Sequence, residues 1–294
     1  MKNFLKLTAV LCVIALVAVF AIGCVGGDDI DNDITPDGPI PIVGLSGGPA
    51  GGLAFSIDAV EFMGETVNAG FLTMGTNADF APFEFASSSP WAVNNVDGID
   101  VKIASLIAQA LGLQLRVVDM PFDSIIPAIQ AGQIDIGIAG MTIREDRLQN
   151  VDFTIPYYTA AQVIIAREDS EITNAADLVG LTVGVVVNYT GDFVVSEMDG
   201  VEVVRSNSGV ESVLELVNGR VDAVVIDRAP AEAMIAQHQG LITVEDADAF
   251  SNENYGMAIR QGNTELLNAV DTVLRQMIDL GYIDAISAAY ILGM

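Results

Sequence analysis

The chain has 294 residues, 51% hydrophobic and 17% charged, with 39 acidic side chains against 12 basic ones and a formal net charge of −27. An acid excess of this size argues against nucleic acid and anionic headgroups as partners. With Cys12 and Cys24 as the only cysteines, a disulfide scaffold is excluded and stability has to come from an apolar core, for which the composition is ample.

The N-terminus pairs a basic start, Met1-Lys-Asn-Phe-Leu-Lys6, with an uncharged apolar run from Leu7 to Gly23. This is the pattern of a secretory signal peptide over residues 1–23, so the protein is expected outside the cytoplasm. The ending Ala21-Ile-Gly-Cys24 resembles a lipobox, which implies an acylated Cys24 as mature N-terminus and anchoring to the outer face of the cell membrane. The alternative is an uncleaved anchor helix, since seventeen apolar residues reach the lower limit for a span; both readings tether the protein. All the acidic residues follow the signal, against nine arginines and one lysine, Lys102, which puts the exported part at −29. Charge of this density fits a high-salt surrounding, where screening removes self-repulsion, or an ordinary acidic exported protein. Residues 24–70 read as a lipid-anchored linker followed by an extra segment. The Gly-, Asp- and Pro-rich part lacks the Gly and Glu of a calcium loop despite its Asp-x-Asp-x-Asp run, and as a coil of ~28 residues it reaches about 30 Å. Leu53 to Gly70 is expected to form a hairpin turning at Gly64-Glu65.

From Phe71 onward strands alternate with helices, which predicts parallel sheets with helical crossovers. Leu72–Gly75 is a strand. Asp100 is expected to cap a helix with Ile103, Leu106, Ile107, Ala110 and Leu111 on its apolar face, stopped by Gly112. Leu113–Asp119 alternates as a strand, and Asp123 or Ser124 is expected to cap the next helix, with Pro127 in its first turn. A second series contains the strand Thr182–Val187, a helix opened by Asn188-Tyr-Thr-Gly-Asp192, and a helix lined by Val210, Val213, Leu214 and Val217. Its strand Val221–Ile226 delivers Asp227. The last helix, Thr264–Leu280, carries Leu267, Val270, Val273, Leu274, Met277 and Ile278 on one face. Two such series predict two lobes facing across a cleft.

The run Ile134–Ala139 reads as a buried strand emptying into a loop with Gly140 and Thr142, before a charged turn that presents Arg147. A guanidinium and a hydroxyl at the carboxyl end of a strand suit a small carboxylate. From Arg147 alone, a surface pair with its acidic neighbours is the stronger reading. The single histidine, His238, sits in a polar helical segment, so no Ser/His/Asp set is available.

Assembled, these motifs change the weighting. Gly75-Thr-Asn-Ala-Asp-Phe-Ala-Pro-Phe-Glu-Phe85, Gly98-Ile-Asp-Val101, Phe122-Asp-Ser-Ile-Ile-Pro-Ala128, Ala139-Gly-Met-Thr-Ile-Arg-Glu-Asp-Arg147, Val151-Asp-Phe153 with Pro156-Tyr-Tyr158, Asp222-Ala223 with Asp227, and Tyr255-Gly-Met-Ala258 make residues 72–293 resemble the extracellular solute-binding proteins of family 3. The resemblance implies an α/β, two-lobed periplasmic-binding-protein-like type II fold with a ligand cleft between the lobes. Lobe 1 would comprise residues 71–160 plus 254–294 and lobe 2 residues 161–253, with hinge crossings near Tyr158–Gln162 and Asn252–Ala258.

It also implies high-affinity binding of a polar amino acid and delivery to an ABC transporter permease, by a monomer without cofactor, metal or catalysis. Arg147 would clamp the ligand α-carboxylate with Thr142 and the Gly140 backbone. Thr190 would meet the same carboxylate from lobe 2, and Asp227 would pair with the α-ammonium. Phe80 and Phe122 would sandwich the ligand side chain, with Asn77 reading its far end. Two departures stand out: Asn77 where binders of basic amino acids often carry aspartate, and Asn188-Tyr189 where glycine and serine are usual, with Tyr189 able to alter the pocket. Competing readings are a cyclohexadienyl dehydratase-like enzyme, with Glu84 or Asp79 as general acid, and a ligand-sensing ectodomain.

Overall fold

Short β-branched runs separated by glycines have nowhere to bury both faces except inside a sheet covered by helices, and two such sheets form here. The computed structural model describes Ile40–Pro41 and residues 56–293. The signal peptide, Cys24 and most of the linker lie outside the described residues.

In the first sheet the strands run in the order Gln114–Asp119, Phe71–Thr76, Ile136–Gly137, Ala258–Arg260, Val151–Phe153. The first three are mutually parallel, and Ala258–Arg260 is antiparallel to both its neighbours. In the second sheet the order is Glu202–Ser206, Thr182–Val186, Ala223–Asp227, Gln162–Arg167, Leu241–Val244, again with three parallel strands and an antiparallel fourth. Both sheets therefore share one topology. In each, the strand in fourth place is the one the chain enters immediately after crossing from the other sheet. The crossings pair with each other: Tyr158–Ala160 runs antiparallel to Glu253–Tyr255, with Thr159 opposite Asn254. The two-lobed α/β expectation holds.

The helix Ile99–Ala110 is buried on nearly every side because it lies between the first sheet and the C-terminal helices Thr264–Asp279 and Tyr282–Leu292. Asp100 is not its cap. Gly98 occupies that position at φ 137, and the Asp100 carboxylate instead accepts from the Gly140 N–H at 2.8 Å and the Tyr157 hydroxyl at 2.9 Å. The next helix starts at Phe122 with Pro121 before it, so neither Asp123 nor Ser124 caps it and Pro127 falls beyond the first turn. Thr264–Asp279 buries Val270, Val273, Leu274 and Met277 as expected, but Ile278 is 42% exposed.

A larger correction concerns Gly209–Val217. Val213 is buried, whereas Val210, Leu214 and Val217 are 47%, 44% and 49% exposed, and the buried face is completed by Gly209, Ser212 and Leu216. Small and large residues share that face, and Gly209 is the tight point of it: a Cβ there would stand 3.0 Å from the Ile226 side chain. Counting large apolar residues misses a face whose tight point is a glycine.

The expected hairpin at Gly64-Glu65 is absent from the described residues. Ser56–Ile57 pairs with Ile40–Pro41, and the chain then runs extended along the helices. It is held by Asp58 N–H to Gln276 Oε1 at 2.9 Å, Val60 N–H to the Ala110 carbonyl at 2.9 Å and Val67 N–H to Asp135 Oδ1 at 2.7 Å. Lys102, the single lysine among the described residues, is only 4% exposed, so the acidic surface there is countered almost entirely by arginine.

Candidate functional site

The strand Ile136–Gly137 ends in a tight loop because Gly140 takes φ 51 against the Phe80 ring, where a Cβ would come within 2.5 Å. The Gly140 N–H is committed to Asp100, so a ligand contact from Gly140 has to use its carbonyl. The four-residue helix Glu145–Leu148 then turns Arg147 inward, leaving it 5% exposed. Its Nη1 donates to the Thr142 carbonyl and its Nη2 to the Asn188 carbonyl, both at 2.9 Å, and its guanidinium lies 5.1 Å from the centre of the Phe122 ring. Among the described residues no carboxylate stands within ion-pair distance of Arg147, and this rules out the surface-pair reading. Burial pulls its pKa down to about 10, leaving it charged at neutral pH.

From the second lobe, Asn188 at φ 64 turns the chain into the helix Thr190–Ser196. Gly191 lets that helix sit directly on the strand below, since a Cβ would be 2.5 Å from the Val225 carbonyl oxygen. Thr190 Oγ1 donates to Thr142 Oγ1 at 3.0 Å, and Thr142 Oγ1 donates to Glu253 Oε2 at 2.9 Å. Asp227 ends the strand Ala223–Asp227, 4% exposed. It precedes a helix without making a side-chain cap; its Oδ1 accepts from the Tyr255 hydroxyl at 2.7 Å. Burial raises its pKa and that hydrogen bond opposes the rise.

Phe80 and Phe122 both meet the Tyr189 ring edge-on, with centroid distances of 5.3 Å and 4.6 Å. The Tyr189 hydroxyl donates to Asn77 Oδ1 at 2.8 Å. The eight residues named from the sequence thus lie in one contiguous set of contacts, which Asp227 and Gly140 join through Tyr255. Three neighbours were not named as site residues: Gln162, 2% exposed, whose amide helps to hold down the pKa values of Asp227 and Glu253; Glu253 on the return strand; and Tyr255. The strand pairing of Gln162 with Asp227 is a tertiary signal with no counterpart in local pattern. Glu84, a general acid in the dehydratase reading, is fully buried with both carboxyl oxygens lacking a donor. Burial first, then the Asp100 charge, raises its pKa well above the carboxylate range, so it holds a proton in the core. Asp79 lies exposed at a cavity of about 740 Å³ between Asn77, Phe122 and Tyr189.

The carboxyls whose pKa burial raises share one sign of linkage. Burial lifts Asp100 to about 6 and, with the Asp227 charge second, Glu253 to about 7, and it raises Glu84, Asp135 and Asp227 as well. Each binds its proton more tightly folded than unfolded, so their contribution to stability is full below the unfolded carboxylate pKa and is lost as pH rises through the folded value. The unliganded protein is expected to melt at lower temperature at pH 8 than at pH 5, at fixed ionic strength. Glu253→Gln should flatten the part of that fall between pH 6 and 8; an unchanged profile in that variant counts against the Glu253 assignment. Asp146, Asp177 and Asp246, whose pKa values are lowered, lose their contribution only in acid below this window.

Residues 72–293 match the bacterial extracellular solute-binding proteins, family 3. The chain is 33% identical to a probable histidine-binding protein of Neisseria gonorrhoeae over 74% of this chain and 81% of that one. It is 32% identical to the arginine-binding extracellular protein ArtP of Bacillus subtilis over 76% and 86%. Among solved structures, a mutant of ArgBP from T. maritima superposes with a TM-score of 0.70 at 41% identity, covering 76% of this chain and 96% of that one. The shared topology of its two sheets, the cleft they bound and these similarities together show that the chain belongs to the bacterial extracellular solute-binding proteins of family 3.

Proposed function

We propose that this protein captures a free polar amino acid outside the cytoplasm and delivers it to the permease of an ABC importer, as a monomer and without chemistry on the ligand. The observation that carries the reading is Arg147, a buried guanidinium with no carboxylate partner in reach among the described residues, in the same cleft as the buried carboxylate of Asp227. A zwitterion leaving water needs both its charges met by charged hydrogen-bonding groups. Arg147, Thr142 and Thr190 would take the α-carboxylate, Asp227 the α-ammonium, and Phe80, Phe122 and Asn77 the side chain. Relatives named for histidine and arginine binding support an amino acid as ligand class.

We assign residues 71–160 plus 254–294 to one lobe and 161–253 to the other. The paired strands Tyr158–Ala160 and Glu253–Tyr255 act as the hinge; only a ligand touching both lobes drives closure. The test is a thermal-shift screen of the twenty amino acids. A binder present at about 100 times its dissociation constant adds ~2.7 kcal/mol of stability; no shift with any of them refutes the assignment.

Two further parts of the proposal rest on the sequence. Lipidation follows from Ala21-Ile-Gly-Cys24, and mass spectrometry of the native protein should find an acylated N-terminal Cys24, whereas an intact Met1 means an uncleaved anchor. Adaptation to salt follows from the charge of the exported part. The melting temperature of ligand-free protein should climb from low to molar KCl as the Debye length falls toward ~3 Å. A flat response removes the salt argument alone.

A further inference from the structure

Arg147, Thr142, Asn77, Phe80 and Phe122, five of the groups proposed to hold the ligand, already have a partner from one short loop of the second lobe. The Asn188 carbonyl accepts from Arg147 Nη2 where a carboxylate oxygen would, and the Thr190 hydroxyl meets Thr142. The Tyr189 ring makes edge contacts with both Phe80 and Phe122, and its hydroxyl is on Asn77. Tyr189 is 6% exposed, and these three contacts of its ring and hydroxyl all belong to the first lobe. We infer that Tyr189 is a built-in occupant of the side-chain pocket and so the residue that decides which amino acids bind. This rests on the amino-acid-binding reading and deepens it.

The physical argument concerns what closure does. Because Asn188 and Tyr189 precede the helix of the second lobe while Phe80, Phe122 and Asn77 belong to the first, separating the lobes withdraws the phenol without any change of rotamer. Closing them returns it. A ligand whose side chain ends near Cβ leaves the ring in place. One with a long polar side chain competes with it for the two aromatic rings and for Asn77, and its apparent affinity is reduced by the fraction of closed protein in which the ring holds the pocket. The ring has somewhere to go, since the cavity of about 740 Å³ beside it is bounded by Val187, Asn207 and Ser208 on its own lobe. Displacement is therefore costly but sterically open, the condition for a residue that sets selectivity and does not abolish binding.

The test is calorimetry of L-glutamine, L-arginine and L-alanine with the wild-type protein, Tyr189→Ala and Tyr189→Phe. Removing the ring should raise the affinity for glutamine or arginine relative to alanine at least tenfold. Tyr189→Phe, which keeps the ring and loses only the bond to Asn77, should move that ratio less than threefold. Should Tyr189→Ala not melt cooperatively, Tyr189→Leu, too short to reach Asn77, carries the same comparison. A ratio unchanged within threefold, or shifted toward alanine, overturns the inference and makes Tyr189 a wall of the pocket. If neither the wild type nor any variant binds any of the twenty amino acids, the amino-acid reading itself falls; binding by the wild type with an unmoved ratio removes only the role of Tyr189.

Discussion

Arg147→Ala is expected to weaken amino-acid binding by roughly 2–5 kcal/mol, the range for stranding one partner of a desolvated charge pair. The size follows from burial: the guanidinium is 5% exposed and its two hydrogen bonds within the protein go to neutral carbonyls. A ligand carboxylate is then the only full anionic charge it would pair with directly. Arg147→Lys keeps a cation but loses the planar fork, so a substantial loss should remain. Asp227→Asn supplies the matching control at the other end of the ligand, since its effect should shrink for an analogue lacking the α-amino group. Calorimetry decides the matter, with the melting curve of each unliganded variant as the check on folding; an unchanged dissociation constant in Arg147→Ala removes the carboxylate clamp from that residue.

The largest effect on stability is expected at Gly98. It stands at φ 137, and a Cβ there would lie 2.2 Å from the Phe83 carbonyl oxygen and 2.9 Å from the Glu84 nitrogen. These are backbone atoms, held by Ile99 N–H to the Pro82 carbonyl at 3.0 Å and Asp100 N–H to the Phe83 carbonyl at 2.9 Å. No rotamer change relieves the clash. Backbone strain of about 1–3 kcal/mol adds to the displacement of this packed turn, so Gly98→Ala should cost roughly 3–5 kcal/mol. For a domain of this size that lowers the melting temperature by ~10 °C. Gly70→Ala is the comparison: φ is 80 but a Cβ meets nothing within 4 Å, so only the strain remains. Equal losses at the two positions would mean that contact with Phe83 is not what excludes a side chain. Because Gly98 starts the helix that carries Asp100, and Asp100 holds the Gly140 N–H, Gly98→Ala should also loosen the loop that leads to Thr142 and Arg147.

How much was legible follows from where each signal is stored. Apolar runs such as Thr182–Val186 and Ala223–Asp227 marked their strands because a strand buried on both faces needs little besides β-branched residues. Asp227 and Arg147 were legible as charges at strand ends because one closes such a strand and the other follows one by a single loop. The cap assignment of Asp100 failed for a different reason. Its carboxylate serves Gly140 and Tyr157, residues 40 and 57 positions away, and a local capping rule has no access to either. The face of Gly209–Val217 failed similarly, since its tight point against the sheet is Gly209. Glu253 and Gln162 belong to no local pattern and acquire meaning only beside Asp227.

The sequence by itself determined the alternation of strands and helices, and the chain positions of a cation and an anion at strand ends, because each depends on residues within a few turns of one another. Only the tertiary structure decided what faces what across the cleft. The contact of Tyr189 with Asn77 spans 112 positions, and that of Thr142 with Glu253 spans 111. Such pairs exist because the chain crosses between its sheets at Tyr158–Ala160 and returns at Glu253–Tyr255, which folds one βα series back over the other. Hydrophobic periodicity sets which face of an element is buried, but it carries no information on which buried face of another element it will meet. That is why the charges of the cleft and the unusual Tyr189 were readable in the sequence, while the contacts of that ring with Phe80, Phe122 and Asn77 were not.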